Sequence, residues 1–62
     1  MTLEEITNDV WDHALSIDEG VDEISGSYCS VVYRARIDEI LFDVYHHRMS
    51  ADDAVELIEE LM

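Results

Sequence analysis

From Leu3 to Ile24 the apolar residues Leu3, Ile6, Val10, Ala14, Ile17, Val21 and Ile24 follow one another at intervals of 3, 4, 4, 3, 4 and 3. That spacing puts one side chain per turn on the same side of an α-helix and fits no strand, whose faces repeat every second residue. Trp11 and Leu15 widen the stripe. Thr2 followed by Glu4 and Glu5 reads as a helix start, with acids at the positive end of the dipole. Gly20 costs about 1 kcal/mol inside a helix. The first helix therefore either runs over residues 2–24 or stops near Asp18, leaving DEGVDEISGS as a connector.

A second helix is expected over residues 27–48, after Ser25, Gly26 and Ser27, the one cluster of helix breakers in the chain. Tyr28, Val31, Val32, Ala35 and Phe42 share one side of it; Tyr33, Ile37, Ile40, Leu41 and Val44 share the other. A helix apolar on two sides sits centrally or in an oligomer interface. The run SYCSVVY also suits a strand, but no other segment supplies a partner for it. The third helix, residues 50–62, starts at a good N-cap, Ser50, with Asp53 in the capping-box position. Ala54, Val55, Leu57, Ile58, Leu61 and Met62 form its apolar face. No internal repeat is apparent. The expected fold is all-α: one small three-helix bundle spanning residues 1–62, with a possible homodimer through Tyr28, Val31, Val32, Tyr33, Phe42 and Tyr45 of the central helix.

Charge narrows the function more than any motif does. The 62 residues carry sixteen Asp and Glu against three Arg and no Lys, a formal charge of −13. Disorder is the first reading of such a balance, but 48% hydrophobic residues at helical spacing support a folded chain. Direct binding to nucleic acid is not expected, since phosphate contacts need Lys and Arg. No apolar run approaches the roughly 18 residues of a membrane span, and the N-terminus lacks the blocks of a signal peptide. A single cysteine, Cys29, cannot form an internal disulfide and fits a reducing cytoplasm.

The acids recur in rows. Glu5, Asp9, Asp12, Glu19 and Glu23 fall at helical spacing in the first segment. Asp52, Asp53, Glu56, Glu59 and Glu60 make the polar face of the third. Acids at i and i+4 repel, and no lysine offsets them. On one continuous helix the first row would present a carboxylate about every 4 Å. Duplex DNA presents a phosphate about every 1.7 Å of its axis. The functional expectation is a surface that meets a basic protein, one built to hold nucleic acid. Two plainer accounts compete with it: a solvated face, or adaptation to a salty cytoplasm.

Other candidate sites are weaker. Asp43 and His47 are spaced i, i+4 beside His46, but zinc needs three or four ligands, and His13 is the only further nitrogen donor. His46 and His47 read instead as residues ending the second helix. Arg34, Arg36 and Arg48 read as structural cations, Arg36 pairing with Glu39 or with the acids of the first helix and Arg48 capping the second helix. There is no phosphate-binding loop, no GxSxG and no HExxH, so neither an enzyme nor a cofactor is expected.

Two resemblances accompany these readings. RIDEIL, FDVYHH and RMSADDAVELIEEL, together residues 36–61, resemble the helical hairpins of SHOCT-type domains, which implies a small oligomerising or docking module. His47 and Arg48 stand where those hairpins often carry glycine. As a class, small lysine-free acidic helical proteins resemble phage-encoded inhibitors that imitate DNA, among them anti-CRISPR proteins and blockers of restriction and repair enzymes. The residues behind that likeness are the two acidic rows. It implies an inhibitor acting in a host cytoplasm on a basic nucleic-acid-binding partner. The alternative is an antitoxin- or scaffold-like docking module that binds through apolar residues.

Overall fold

A computed structural model describes residues 2–28 and 31–62. The described residues form four α-helices: α1 (Leu3–Trp11), α2 (Ile17–Ser27), α3 (Arg34–Tyr45) and α4 (Ala51–Glu59), with a short 3-10 turn at Val31–Tyr33 ahead of α3. The fold is all-helical, as expected, but the helices number four among the described residues instead of three. No helix is long and apolar enough to cross a membrane.

The boundaries between the first two helices need correcting. The first segment breaks neither near Asp18 nor after Ile24. It breaks at residues 12–16, and the expected connector DEGVDEISGS lies within α2 instead. Ser16 is the missed start signal: its Oγ accepts the Glu19 N–H at 3.2 Å, as Thr2 caps α1 and Ser50 caps α4. The expected breaker cluster Ser25–Gly26–Ser27 is helical, and the helix expected from residue 27 begins only at Arg34. Of SYCSVVY, Ser27 ends α2, Val31–Tyr33 form the 3-10 turn, and Cys29 and Ser30 lie outside the described residues.

A second correction concerns repetition. Residues 3–28 and 37–62 are two copies of one unit, 34 positions apart. Glu5 and Glu39, Ile6 and Ile40, Asp9 and Asp43, Val10 and Val44, His13 and His47, Ser16 and Ser50, Asp18 and Asp52, Val21 and Val55, and Ile24 and Ile58 are identical pairs. Each copy is a helical hairpin whose five-residue turn places its histidine at positive φ, 64° for His13 and 59° for His47. Each first helix ends in the same way. The His13 N–H reaches the Val10 carbonyl and the Ala14 N–H the Asp9 carbonyl; the His47 N–H reaches Val44 and the Arg48 N–H reaches Asp43. This is the Schellman closure, with histidine at the left-handed position usually filled by glycine.

The hairpins pack so that α1 lies on α4 and α2 on α3, each pair the counterpart of the other under the exchange of copies. The core is built from matched positions. Leu3, Ile6 and Val10 of α1 answer Ile37, Ile40 and Val44 of α3, while Val21 and Ile24 of α2 join Ala54 and Ile58 of α4. Thr7 and Ser25 are its buried polar neighbours, and Thr7 is the deeper of the two. It is fully buried, and its hydroxyl donates within its own helix towards the Leu3 and Glu4 carbonyls at 3.1 and 3.0 Å.

Gly20 is a packing glycine. A Cβ there would sit 2.8 Å from Val10 Cγ2 and 2.9 Å from Leu41 Cδ1, so its absence lets α2 approach α1 and α3 closely. The other copy carries Ala54 at this place, fully buried.

Candidate protein-binding surfaces

None of the sixteen carboxylates is buried. Asp9 and Asp43 are half-buried and the others are exposed. Only two of them meet an arginine among the described residues: Asp22 pairs with Arg34, and Glu39 with Arg36 at 3.2 Å. The Arg36–Glu39 pair is the one read from spacing. Arg34 also donates to Ser25 Oγ at 3.1 Å, tying the start of α3 to the end of α2.

The two expected acidic rows fare differently. Glu5, Asp9, Asp12, Glu19 and Glu23 do not form one column, because the turn at residues 12–16 divides them between two hairpin helices. Three of the five also have local structural roles. Glu5 completes a capping box with Thr2, Glu19 accepts from the Ser16 hydroxyl at 3.2 Å, and Asp12 is the C-cap of α1. A continuous helix over residues 2–24 would have been about 35 Å long, whereas α1 alone is about 14 Å. The row on α4 is intact. Asp52, Asp53, Glu56, Glu59 and Glu60 are all exposed, on the side of the helix away from buried Ala54 and Ile58.

The aromatic and apolar residues expected at a dimer interface also divide. Tyr28 and Tyr45 are half-buried and pack against the core. Tyr45 further stacks on His13, with centroids 4.0 Å apart. Val31, Val32, Tyr33 and Phe42 are exposed, Val31 and Val32 at 71% and 76%. Ile37, Ile40, Leu41 and Val44 form the buried side of α3, as the two-sided pattern requires, so its other side faces outward.

Two features escaped the sequence reading. One is an open groove of about 470 Å³ between α2 and the start of α3, lined by Asp18, Val21, Val31, Val32, Arg34, Ala35 and Asp38. The 3–4 spacing of Val31, Ala35, Asp38 and Phe42 was the available signal. The other is a stack of four rings, Trp11 on His47 and Tyr45 on His13, with the two imidazoles 5.6 Å apart. Each imidazole Nε2 meets a main-chain oxygen, His13 to Tyr45 at 2.8 Å and His47 to Trp11 at 2.9 Å. A carbonyl only accepts, so each ring donates from Nε2. His46 and His47 stand at the end of α3, His46 as its C-cap and His47 in the turn beyond it. Among the described residues no group of three or more metal-ligating side chains assembles.

No family model, curated protein or solved structure matches this chain.

Proposed function

We propose that this protein acts by binding: an acidic inhibitor that occupies a basic, nucleic-acid-binding surface of a partner protein. The observation that supports the reading is the carboxylate row of α4, four exposed acids on one side of an uninterrupted helix and a fifth, Glu60, at its C-cap, with no cation among the described residues paired to them. Such a row costs stability through like-charge repulsion, which a basic partner relieves on contact. The division of the other row narrows the proposed contact to α4 and the helix ends beside it. Inhibition is steric and electrostatic, with carboxylates standing where phosphates stand and arginines or lysines of the partner supplying the cations.

The test is capture of the partner from the native host, followed by affinity measurements over a range of salt. Affinity is expected to fall steeply with ionic strength and to fall further on Glu56→Lys with Glu59→Lys. Binding that ignores salt and both reversals would reject the reading.

A second reading is favoured by the outward apolar side of α3. There the chain is a docking or oligomerisation module gripping through Val31, Val32, Tyr33 and Phe42, with the acids serving solubility. Replacing Phe42 then weakens the captured complex more than any acid does.

A further inference from the structure

We infer that the groove between α2 and the start of α3 receives one amphipathic helix of a partner protein, apolar along one ridge and carrying Lys or Arg beside it. This inference rests on the docking reading above and gives that surface its occupant.

The first argument comes from the repeat. The groove floor has a counterpart in the other copy, where Val55 answers Val21, Asp52 answers Asp18 and Glu4 answers Asp38. A depression does exist there, lined by Thr2, Leu3, Glu4, Val55 and Glu59. The groove between α2 and α3 adds a wall, Val31 and Val32, which stands in the segment joining the two copies. A joining segment needs only reach, and polar residues supply it without exposing apolar surface to water. Two neighbouring valines exposed at 71% and 76% contribute little to the core. Buried Val21 of α2 floors the groove, Val31, Val32 and Ala35 line it, and Phe42 is exposed on α3 one turn beyond Asp38.

The second argument is charge. Asp18 and Asp38 border the strip and meet no cation among the described residues, while the Arg34 guanidinium is engaged by Asp22 and Ser25. An occupant with lysines or arginines flanking an apolar ridge satisfies both features at once. A second copy of this chain does not, since it brings another −13 charges to a small patch. An open groove between two helices suits a helix, read through anchors at i, i+3, i+4 and i+7.

The test uses the full chain and a synthetic Leu/Lys peptide about five turns long with its leucines on one face. A peptide of the same composition with scattered leucines serves as control. The patterned peptide is expected to bind one to one, at least about tenfold tighter than the control, with amide shifts concentrated at Val21, Val31, Ala35 and Phe42. Val31→Ser with Val32→Ser should remove most of that preference. These residues are exposed, so the variant folds, which circular dichroism checks. Asp38→Asn should weaken binding severalfold, while Glu56→Lys with Glu59→Lys leaves the preference intact. Equal binding of the two peptides, shifts centred on α4, a two-to-one complex, or a free chain that sediments as a dimer through α3 would each overturn the inference. None of these results bears on whether α4 meets a basic partner, which the salt and reversal experiment decides.

Discussion

His13 and His47 cap each other's hairpins. Each imidazole donates to the last carbonyl of the opposite first helix, His13 to Tyr45 at 2.8 Å and His47 to Trp11 at 2.9 Å, and each lies flat on the aromatic ring of the residue it caps. Every one of the last four carbonyls of α1 thereby has a donor: Asp12 N–H for Asn8, Ala14 N–H for Asp9, His13 N–H for Val10 and the His47 ring for Trp11. In α3 the same four places are filled by His46, Arg48, His47 and the His13 ring. Helix ends normally leave such groups to water or a glycine-based turn. Here they lock one hairpin to the other.

Replacing His13 should therefore be costly in two separable ways. Both His13→Ala and His13→Gly lose the cross-hairpin hydrogen bond and the stack on Tyr45, together about 1–2 kcal/mol. Only the alanine keeps a Cβ at φ 64°. The alanine variant should unfold at lower denaturant than the glycine variant, by about 1 kcal/mol. The two imidazoles are neighbours, so the double replacement at His13 and His47 should depart from additivity by at least about 0.5 kcal/mol. Additive losses, or a glycine no better than alanine, would show that the rings do not hold the hairpins together.

The two glycines should respond to alanine in opposite directions. Both lie in α2, where alanine is the better helix former by about 1 kcal/mol. At Gly26 the added methyl meets nothing within 4 Å, so Gly26→Ala should stabilise by about 0.5–1 kcal/mol. At Gly20 it meets the stiff side chain of Val10 at 2.8 Å, and overpacking of about 1–3 kcal/mol outweighs the propensity gain. Chemical denaturation of the two variants decides the matter, and a stabilised Gly20→Ala would mean that α2 and α1 can separate without loss.

Much of this arrangement was legible in the residues and part of it was hidden for a physical reason. The α4 helix, its Ser50 cap and its acidic face follow directly from local pattern, as does the inward side of α3. The turn after α1 does not. Helices are read as ending at glycine or asparagine, and the left-handed position here is held by His13, whose cost is offset by a ring and a carbonyl thirty-odd residues away. A long-range contact leaves no local signature. Once that turn is missed, the first two helices fuse, the repeat falls out of register, and the acids of two hairpin helices look like one row. The groove was half visible: Val31, Val32, Ala35 and Phe42 stand on one side by spacing alone, but Val21 and Asp18 arrive there only through the hairpin.

Ser16 and Ser50 occupy the same place in the two copies, each accepting from the N–H three residues on at 3.2 Å. Alanine at either should cost about 1 kcal/mol. The Ser16 variant should suffer slightly more, because its hydroxyl also donates to Glu19. Thermal unfolding of the two single variants checks both the size and the near-equality that the repeat implies, and a silent Ser16→Ala would deny Ser16 its part in starting α2.

Salt should stabilise the free protein. Sixteen exposed or half-exposed carboxylates surround a core that holds no charge, and only two of them have an arginine partner among the described residues. Both of those pairs are at least half exposed at each end, so screening them removes little. Screening the repulsion among the remaining acids gains more, since the Debye length falls from about 30 Å at 0.01 M to about 8 Å at 0.15 M. The melting temperature should rise over that interval and continue to rise more gently above it. Glu56→Gln with Glu59→Gln should raise the melting temperature at low salt and lose most of that advantage at high salt, because the row on α4 is where uncompensated charge is densest. A melting temperature that falls with salt would mean the surface charges attract on balance, and would leave the α4 row with no repulsion for a basic partner to relieve.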